Sequence, residues 1–392
     1  LQTVPARSGH NVYLTIDRRL QQRAEALLQG QAGAVVALDP NTGEVLALAS
    51  TPAFDQNDFI TGLSRDKWNA LINNPLRPLN NKAIQGEYPP ASTYKTINAM
   101  AGLQEGVITE NDIIFCPGHY RFGNRSYRCW RRGGHGSVDL NKALAESCDV
   151  YFYQVGQRLG IDRLAWYAKA AGLGAKTGIE LDHEGRGLVP TADWKKKRFG
   201  IAWQPGETLS VAIGQGFNLA TPLQMAVFTA AVANGGVRYR PTLVKRVVSG
   251  EGDDILDNTP RVVGRLPVSE ANLALVKKGL WEVVQGERGT ARIARLKGTD
   301  ISGKTGTAQV VGREKLEESE GGATVRKYMD HAWFVAYAPS EAPQIAIAVI
   351  VEHGEHGSSA AAPVARELVK TYLESAPSDP VVAADAGDLG HG

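Results

Sequence analysis

Ala34-Val-Val-Ala-Leu-Asp-Pro-Asn-Thr-Gly-Glu-Val-Leu-Ala-Leu48 decides the architecture of this chain. Two short apolar runs flank Asp39-Pro-Asn-Thr-Gly43, a turn closed by glycine, so the stretch predicts a strand, a tight turn and a second strand. Just before it, Asp17 is placed to cap a helix from Arg18 to Leu28, with Leu20, Ala24, Leu27 and Leu28 on one face. Beyond it, scattered Pro and Asn predict a loop from Thr51 to Pro90. Helices are expected at Thr93 to Leu103, within Leu140 to Leu159, and at Thr221 to Ala233, where Asn234-Gly-Gly236 ends the run. Near the other end, Ile301 to Val311, His331 to Tyr337 and Gln344 to Val351 predict three more strands, followed by a helix from Pro363 to Leu373. Strands at both ends of a helical middle predict an α+β fold. Its simplest closure is one antiparallel sheet built from both termini, covered by helices, beside an all-helical lobe at residues 93–235.

The totals exclude several functions. With 43 basic against 41 acidic residues, no polyelectrolyte partner is implied. The longest basic run, Lys195-Lys-Lys-Arg198, is too short for nucleic-acid binding. There is no apolar run of about 18 residues, hence no membrane span in this stretch. The first residue is Leu1, not Met, which reads as a trimmed fragment whose anchor has been removed. Pro377 to Gly392, rich in Ala, Asp, Gly and Pro, reads as a disordered tail.

Three short motifs carry chemistry: Ser92-Thr-Tyr-Lys95, Ser147-Cys-Asp149 and Lys304-Thr-Gly-Thr307. Ser92 follows Pro89-Pro-Ala91 at an expected helix start, where free backbone N–H groups can stabilise an oxyanion. Lys95, three residues on, lies on the same helical face and can serve as the base a serine nucleophile needs. It does so only if burial or a nearby cation such as Lys304 lowers its pKa. The competing interpretation is a capping Ser92 and a solvated Lys95. Ser147 can bond a lysine amine and pass a proton to a leaving group, while Asp149 can orient a substrate amide or the same lysines. Lys304, Thr305, Gly306 and Thr307 offer a cation, two hydroxyls and a bare strand edge, a dock for an extended peptide ending in a carboxylate.

With Pro89-Pro90, Gly214-Gln-Gly216 and Lys304-Thr-Gly-Thr-Ala-Gln309, this set resembles the transpeptidase domain of class B penicillin-binding proteins. Glu146-Ser-Cys-Asp-Val-Tyr-Phe-Tyr153 is most similar to the elongation-type members, because the septal type usually carries Asn where Asp149 stands. The resemblance implies a penicillin-binding, serine β-lactamase-like fold over residues 1–376. It implies peptidoglycan D,D-transpeptidation through a serine acyl-enzyme, with β-lactams as inhibitors. Ser92 would be acylated, Lys95 its base, Ser147 the proton relay and Asp149 the orienter, with Lys304, Thr305 and Thr307 holding the substrate carboxylate. The amides of Ser92 and Thr307 would form the oxyanion hole. Stem peptides, a membrane-bound glycan polymerase and a rod-shape scaffold would be partners, on the periplasmic side of the bacterial inner membrane. A β-lactam sensor, a serine β-lactamase or D,D-carboxypeptidase, and an inactive zinc-stapled scaffold remain rival interpretations.

All three cysteines fall between 116 and 148. Cys116, Cys129, His135 and Cys148 make the Cys₃His set of a closed structural zinc site, with His119 a competing ligand. Some elongation-type relatives resemble this arrangement with Asp at the first two positions. One disulfide plus a free thiol, or three buried thiols, are the alternatives. Cys148 sits between Ser147 and Asp149, so a metal on its sulfur would also fix the proton-relay loop.

Overall fold

The computed structural model describes residues 9–310 and 329–375. At its centre is a five-stranded antiparallel sheet. The hairpin supplies β1 (Gly33–Leu38) and β2 (Val45–Thr51), and the C-terminal part supplies β3 (Ser302–Ala308), β4 (His331–Ala338) and β5 (Ile345–Val351). The order β3-β4-β5-β1-β2 joins the two chain ends through the β5–β1 pair, with Ala348 opposite Val36. Both faces of the sheet are buried, which is why its strands read as continuous apolar runs instead of alternating ones. Ala34, Val36, Trp333, Val335, Ala348 and Ile350 face one core, while Val35, Ala37, Phe334, Ala336, Ile347 and Val349 face the other.

The helices that cover the sheet and build the site are α1 (Arg18–Leu27), α2 (Lys95–Gln104), α3 (Leu140–Ala145), α4 (Asp149–Leu159), α5 (Pro222–Ala233), α6 (Glu270–Gln285) and α7 (Ala362–Ser375). Asp17 caps α1 by accepting from the Arg19 and Leu20 amides, and Leu20 and Ala24 turn into the second core beside Val364, Ala365 and Leu368 of α7. On the opposite face, every residue of α5 is buried, and a capping box between Thr221 and Gln224 starts it.

Two expectations need correction. The lobe expected to be all-helical also holds two small ribbons, Ile114–Cys116 paired with Gly136–Val138 and His119–Phe122 paired with Arg125–Arg128. Their strands are three or four residues long, and the second ribbon is mostly polar, so no apolar run announces them. Gly134, at φ +73°, brings the first ribbon together: a Cβ there would lie 2.1 Å from the Cys116 carbonyl oxygen. The stretch expected to be loop from Thr51 to Pro90 contains two short helices, Asn57–Thr61 and Arg65–Ile72. Neither buries a residue, so neither carries apolar periodicity. The expected C-terminal tail and the last residue of the expected Ile301 to Val311 strand lie outside the described residues.

Candidate active site

Ser92 lies in a 3₁₀ turn, Ala91–Tyr94, that leads into α2. The sheet and a glycine loop fix this turn from two sides. The Trp333 indole N–H donates to the Pro89 carbonyl at 3.0 Å, and the Ala91 amide donates to the Gly214 carbonyl at 2.9 Å. Gly214 has φ +73°, and a Cβ on it would stand 2.1 Å from the Ala91 oxygen, so no other residue fits.

Lys95 is fully buried, which removes the solvated-lysine interpretation. Its Nζ donates to Asp149 Oδ1 at 2.6 Å, to the Ser147 carbonyl at 2.9 Å and to Ser147 Oγ at 3.1 Å. All three donor positions of the ammonium are thereby used on the second motif. Ser147 sits in the break between α3 and α4 with φ +55°, a left-handed conformation that costs a non-glycine residue about 1 kcal/mol or more. Its neighbours must therefore hold it there.

Lys304 is also fully buried, on β3, with Nζ 3.3 Å from the Thr305 carbonyl. Burial, and then the positive charge of Lys95, lower its pKa well below the usual lysine range, while Asp149 pulls the other way. Burial pushes the Asp149 carboxyl up, and the Lys95 ammonium opposes that shift. β3 is the end strand of the sheet, and among the described residues its outer edge has no strand partner. The close approach that Gly306 permits is made by the protein's own nucleophile segment. A Cβ at Gly306 would lie 3.2 Å from both the Pro90 oxygen and the Thr93 methyl carbon. Thr305 Oγ1 meets Thr290 Oγ1 at 2.9 Å, and Gln215 Nε2 donates to the Thr307 carbonyl at 3.1 Å.

The cysteine cluster adjoins this network. Cys116, Cys129, His135 and Cys148 are buried, and their four ligand atoms lie within 4.8 Å of one another. His135 Nδ1 is 3.5 Å from both Cys116 Sγ and Cys129 Sγ. All three cysteines are unbridged, and His119 stands exposed on its ribbon, outside the cluster. The thiols compete for protons. Cys129 is pushed down by the hydrogen bond from Cys148, Cys148 is pushed up by that same bond, and burial raises Cys116.

Four residues outside the motif assignments complete the site. Trp130 donates its main-chain N–H to Asp149 Oδ2 at 2.8 Å and its indole N–H to the Glu146 and Ser147 carbonyls, both at 3.0 Å. Thus the residue after Cys129 grips both sides of the second motif. Glu146, Gln215 and Thr290 brace the same cleft. Glu146 and Gln215 fall inside stretches singled out from the sequence, and Trp130 adjoins a candidate ligand, but nothing in the sequence marks Thr290.

Comparison with known proteins bears on the family and the fold. The family model for the penicillin binding protein transpeptidase domain matches residues 33–370. The chain is 42% identical over 383 residues to the peptidoglycan D,D-transpeptidase MrdA of Haemophilus influenzae, covering 95% of this chain and 58% of that protein. Among solved structures, Pseudomonas aeruginosa PBP2 in complex with WCK 5153 superposes with a TM-score of 0.82 at 41% identity, covering 93% of this chain and 76% of that one. Helicobacter pylori PBP2, in a complex with MreC, gives a TM-score of 0.83 at 34% identity, covering 93% and 64%. The chain spans somewhat over half the length of the MrdA proteins it matches.

Proposed function

The chain belongs to the penicillin-binding protein transpeptidase family, and we propose that it is the D,D-transpeptidase domain of an elongation-type member, cross-linking peptidoglycan stem peptides. Residues 1–376 then form one transpeptidase domain. The observation that carries this is the convergence on Lys95: one buried amine, next to the Ser92 turn, bonded to both polar side chains of the second motif, with a positive charge that depresses the pKa of the buried Lys304.

Lys95 hands its proton along its contacts with Asp149 or Ser147 and then accepts the proton of Ser92 Oγ. Ser92 Oγ bonds to the penultimate D-Ala carbonyl carbon, with the developing oxyanion held by the Ser92 and Thr307 amides. The peptide C–N bond breaks, and Ser147 relays the proton to the departing D-Ala amine. An amine of a neighbouring stem then attacks the acyl-enzyme, and the proton it loses returns through Ser147 while Ser92 is released. Lys304, Thr305 and Thr307, with Gly306 admitting close approach, hold the substrate carboxylate along the β3 edge. β-Lactams acylate the same serine and stay.

We further propose a structural zinc on Cys116, Cys129, His135 and Cys148. Tetrahedral zinc with bonds of about 2.3 Å to sulfur and about 2.0 Å to nitrogen sets sulfur–nitrogen separations near 3.5 Å, the separation found for His135. The thiols also favour this: packed together, they share protons instead of all ionising, and a divalent cation would let all three become thiolates. With four protein ligands such a zinc has no open position, so it supplies rigidity, not a nucleophile.

By likeness to the Helicobacter pylori protein, a MreC-type scaffold is a proposed partner, alongside a membrane-bound glycan polymerase. The proposed location is the periplasmic face of the inner membrane. No helix among the described residues is long and apolar enough to cross a membrane. The test is intact-mass spectrometry after exposure to a penicillin. A single adduct on Ser92 that lasts for hours, absent in Ser92→Ala, supports the proposal. Rapid turnover would indicate a β-lactamase, and labelling that survives the substitution would move the nucleophile elsewhere.

A further inference from the structure

Beside the second motif stands a charge cluster that acyl transfer does not use. The Glu146 side chain is 5% exposed and takes one guanidinium on each oxygen: Arg131 Nη1 on Oε2 at 3.1 Å, and Arg288 Nε on Oε1 at 3.0 Å. The two arginines come from different segments, the cysteine loop and the turn after α6. One buried carboxylate between two guanidiniums leaves a surplus of one positive charge. That surplus faces solvent, because Arg131 is 45% and Arg288 60% exposed. Each guanidinium spends one nitrogen on Glu146 and keeps further N–H donors in a rigid fork. Among the described residues, no second carboxylate lies within ion-pair distance of either one.

The cluster adjoins the cleft on two sides. Glu146 directly precedes Ser147, and Arg288 is two residues from Thr290, whose hydroxyl meets that of Thr305 and whose amide donates to the Ala145 carbonyl at 3.2 Å. Because Glu146 is buried and already bonded, it orients the two forks without competing for an incoming anion.

We propose that Arg131 and Arg288, set by Glu146, form a subsite for a second carboxylate of the peptide substrate, one carried on a side chain and distinct from the C-terminal carboxylate held by Lys304. This rests on the transpeptidase assignment above and adds to it a substrate class, stem peptides with an anionic side chain. A site built to bond a carboxylate rejects the matching carboxamide, because charged partners make the stronger hydrogen bonds.

The test titrates the Ser92→Ala protein with paired synthetic peptides identical except for one side-chain carboxylate or carboxamide. One pair ends in D-Ala-D-Ala and represents the donor; the other lacks those residues but keeps the free amine and represents the acceptor. The expected result is roughly tenfold tighter binding of the carboxylate form in one of the pairs. Arg288→Gln or Arg131→Gln should bring that ratio close to one. Glu146→Gln removes the carboxylate that orients both forks but leaves both guanidiniums charged, so it should lower the ratio only in part. Equal binding within both pairs overturns the proposal, as does a Glu146→Gln ratio that collapses together with the arginine variants, which would mean a structural latch only. Penicillin labelling of the parent protein separates this from the function itself: a labelled Ser92 with a ratio of one sinks the subsite alone.

Discussion

Lys304 is part of the central sheet and the Ser92 turn is seated directly against it and a glycine loop, whereas the segment bearing Ser147 is held by side chains arriving from elsewhere. Lys304 is a strand residue of β3 paired with Val335 across a regular ladder, and the Ser92 turn leans on that strand through Gly306. Ser147, by contrast, occupies a left-handed break between two helices, clasped by Trp130, by the Lys95 ammonium and by the neighbouring Cys148 cluster. A sheet buried on both faces is redundant, since no single contact decides its geometry. A break clasped by a few polar contacts has no such reserve, and each contact should be visible when removed. The proposed zinc would matter most here, because Arg125–Arg128 and its partner strand bury too little apolar surface to hold the loop themselves.

The largest test breaks the meeting point of the two regions. Lys95→Arg keeps the charge but removes a usable base, because Arg stays protonated. Penicillin acylation measured in stopped-flow should fall roughly 10²-fold or more. Lys304→Arg retains a cation on the sheet-held side and should fall less. A reversed ranking would exchange the two roles.

Next comes the metal. Purified protein should contain close to one zinc per chain, and Cys129→Ser should lose it. A chelator should lower the melting temperature and slow acylation together, because Trp130 transmits the position of Cys129 to Asp149. A reductant should do neither. If zinc is removed and acylation is unchanged, the cluster is a remote staple and the two regions are not coupled through it.

How legible these regions were in the sequence obeys the same division. The hairpin at Ala34 to Leu48 and the three C-terminal strands announced themselves because buried strands make dense apolar runs, and α5 because Thr221, Gln224 and Asn234 bracket it with caps. The three motifs fell together because each lies on or beside such an element. The ribbons did not announce themselves: a three-residue strand such as Ile114–Cys116 has no period to detect, and its pairing depends on Gly134 at a positive φ. Trp130 was invisible for a related reason. Its role uses a main-chain N–H and an indole donor aimed at carbonyls sixteen and seventeen residues away, a geometry that only the folded loop creates. Cys116, Cys129, His135 and Cys148 could be grouped by type, but only the distances remove His119 from the set.

A matched pair of substitutions sharpens the comparison further. Trp130→Phe and Trp333→Phe each delete one indole donor, in the side-chain-held and the sheet-held region respectively. A neutral hydrogen bond is worth about 1 kcal/mol, so Trp130→Phe should slow acylation roughly fivefold with little change in melting temperature. Trp333 is fully buried, so its replacement should lower the melting temperature more through lost packing. Acylation should suffer less there, because Ala91 remains bonded to Gly214. Equal effects on both readouts would erase the distinction between the regions.

The smallest expected effect is the most specific. His119 is exposed on the same ribbon system, three residues from Cys116, and by sequence alone it competes with His135 as the fourth ligand. In the folded loop its ring lies outside the cluster, while His135 Nδ1 is equidistant from two sulfurs. His119→Ala should therefore leave zinc content and acylation unchanged, with stability altered by less than about 0.5 kcal/mol, as for most surface substitutions. His135→Ala should release the metal and carry the chelator phenotype even without chelator. Zinc content measured by atomic emission on both variants decides the matter. If His119→Ala loses zinc and His135→Ala keeps it, the ribbon pairs in a different register from the one described, and the clasp on Ser147 must be rebuilt around that register.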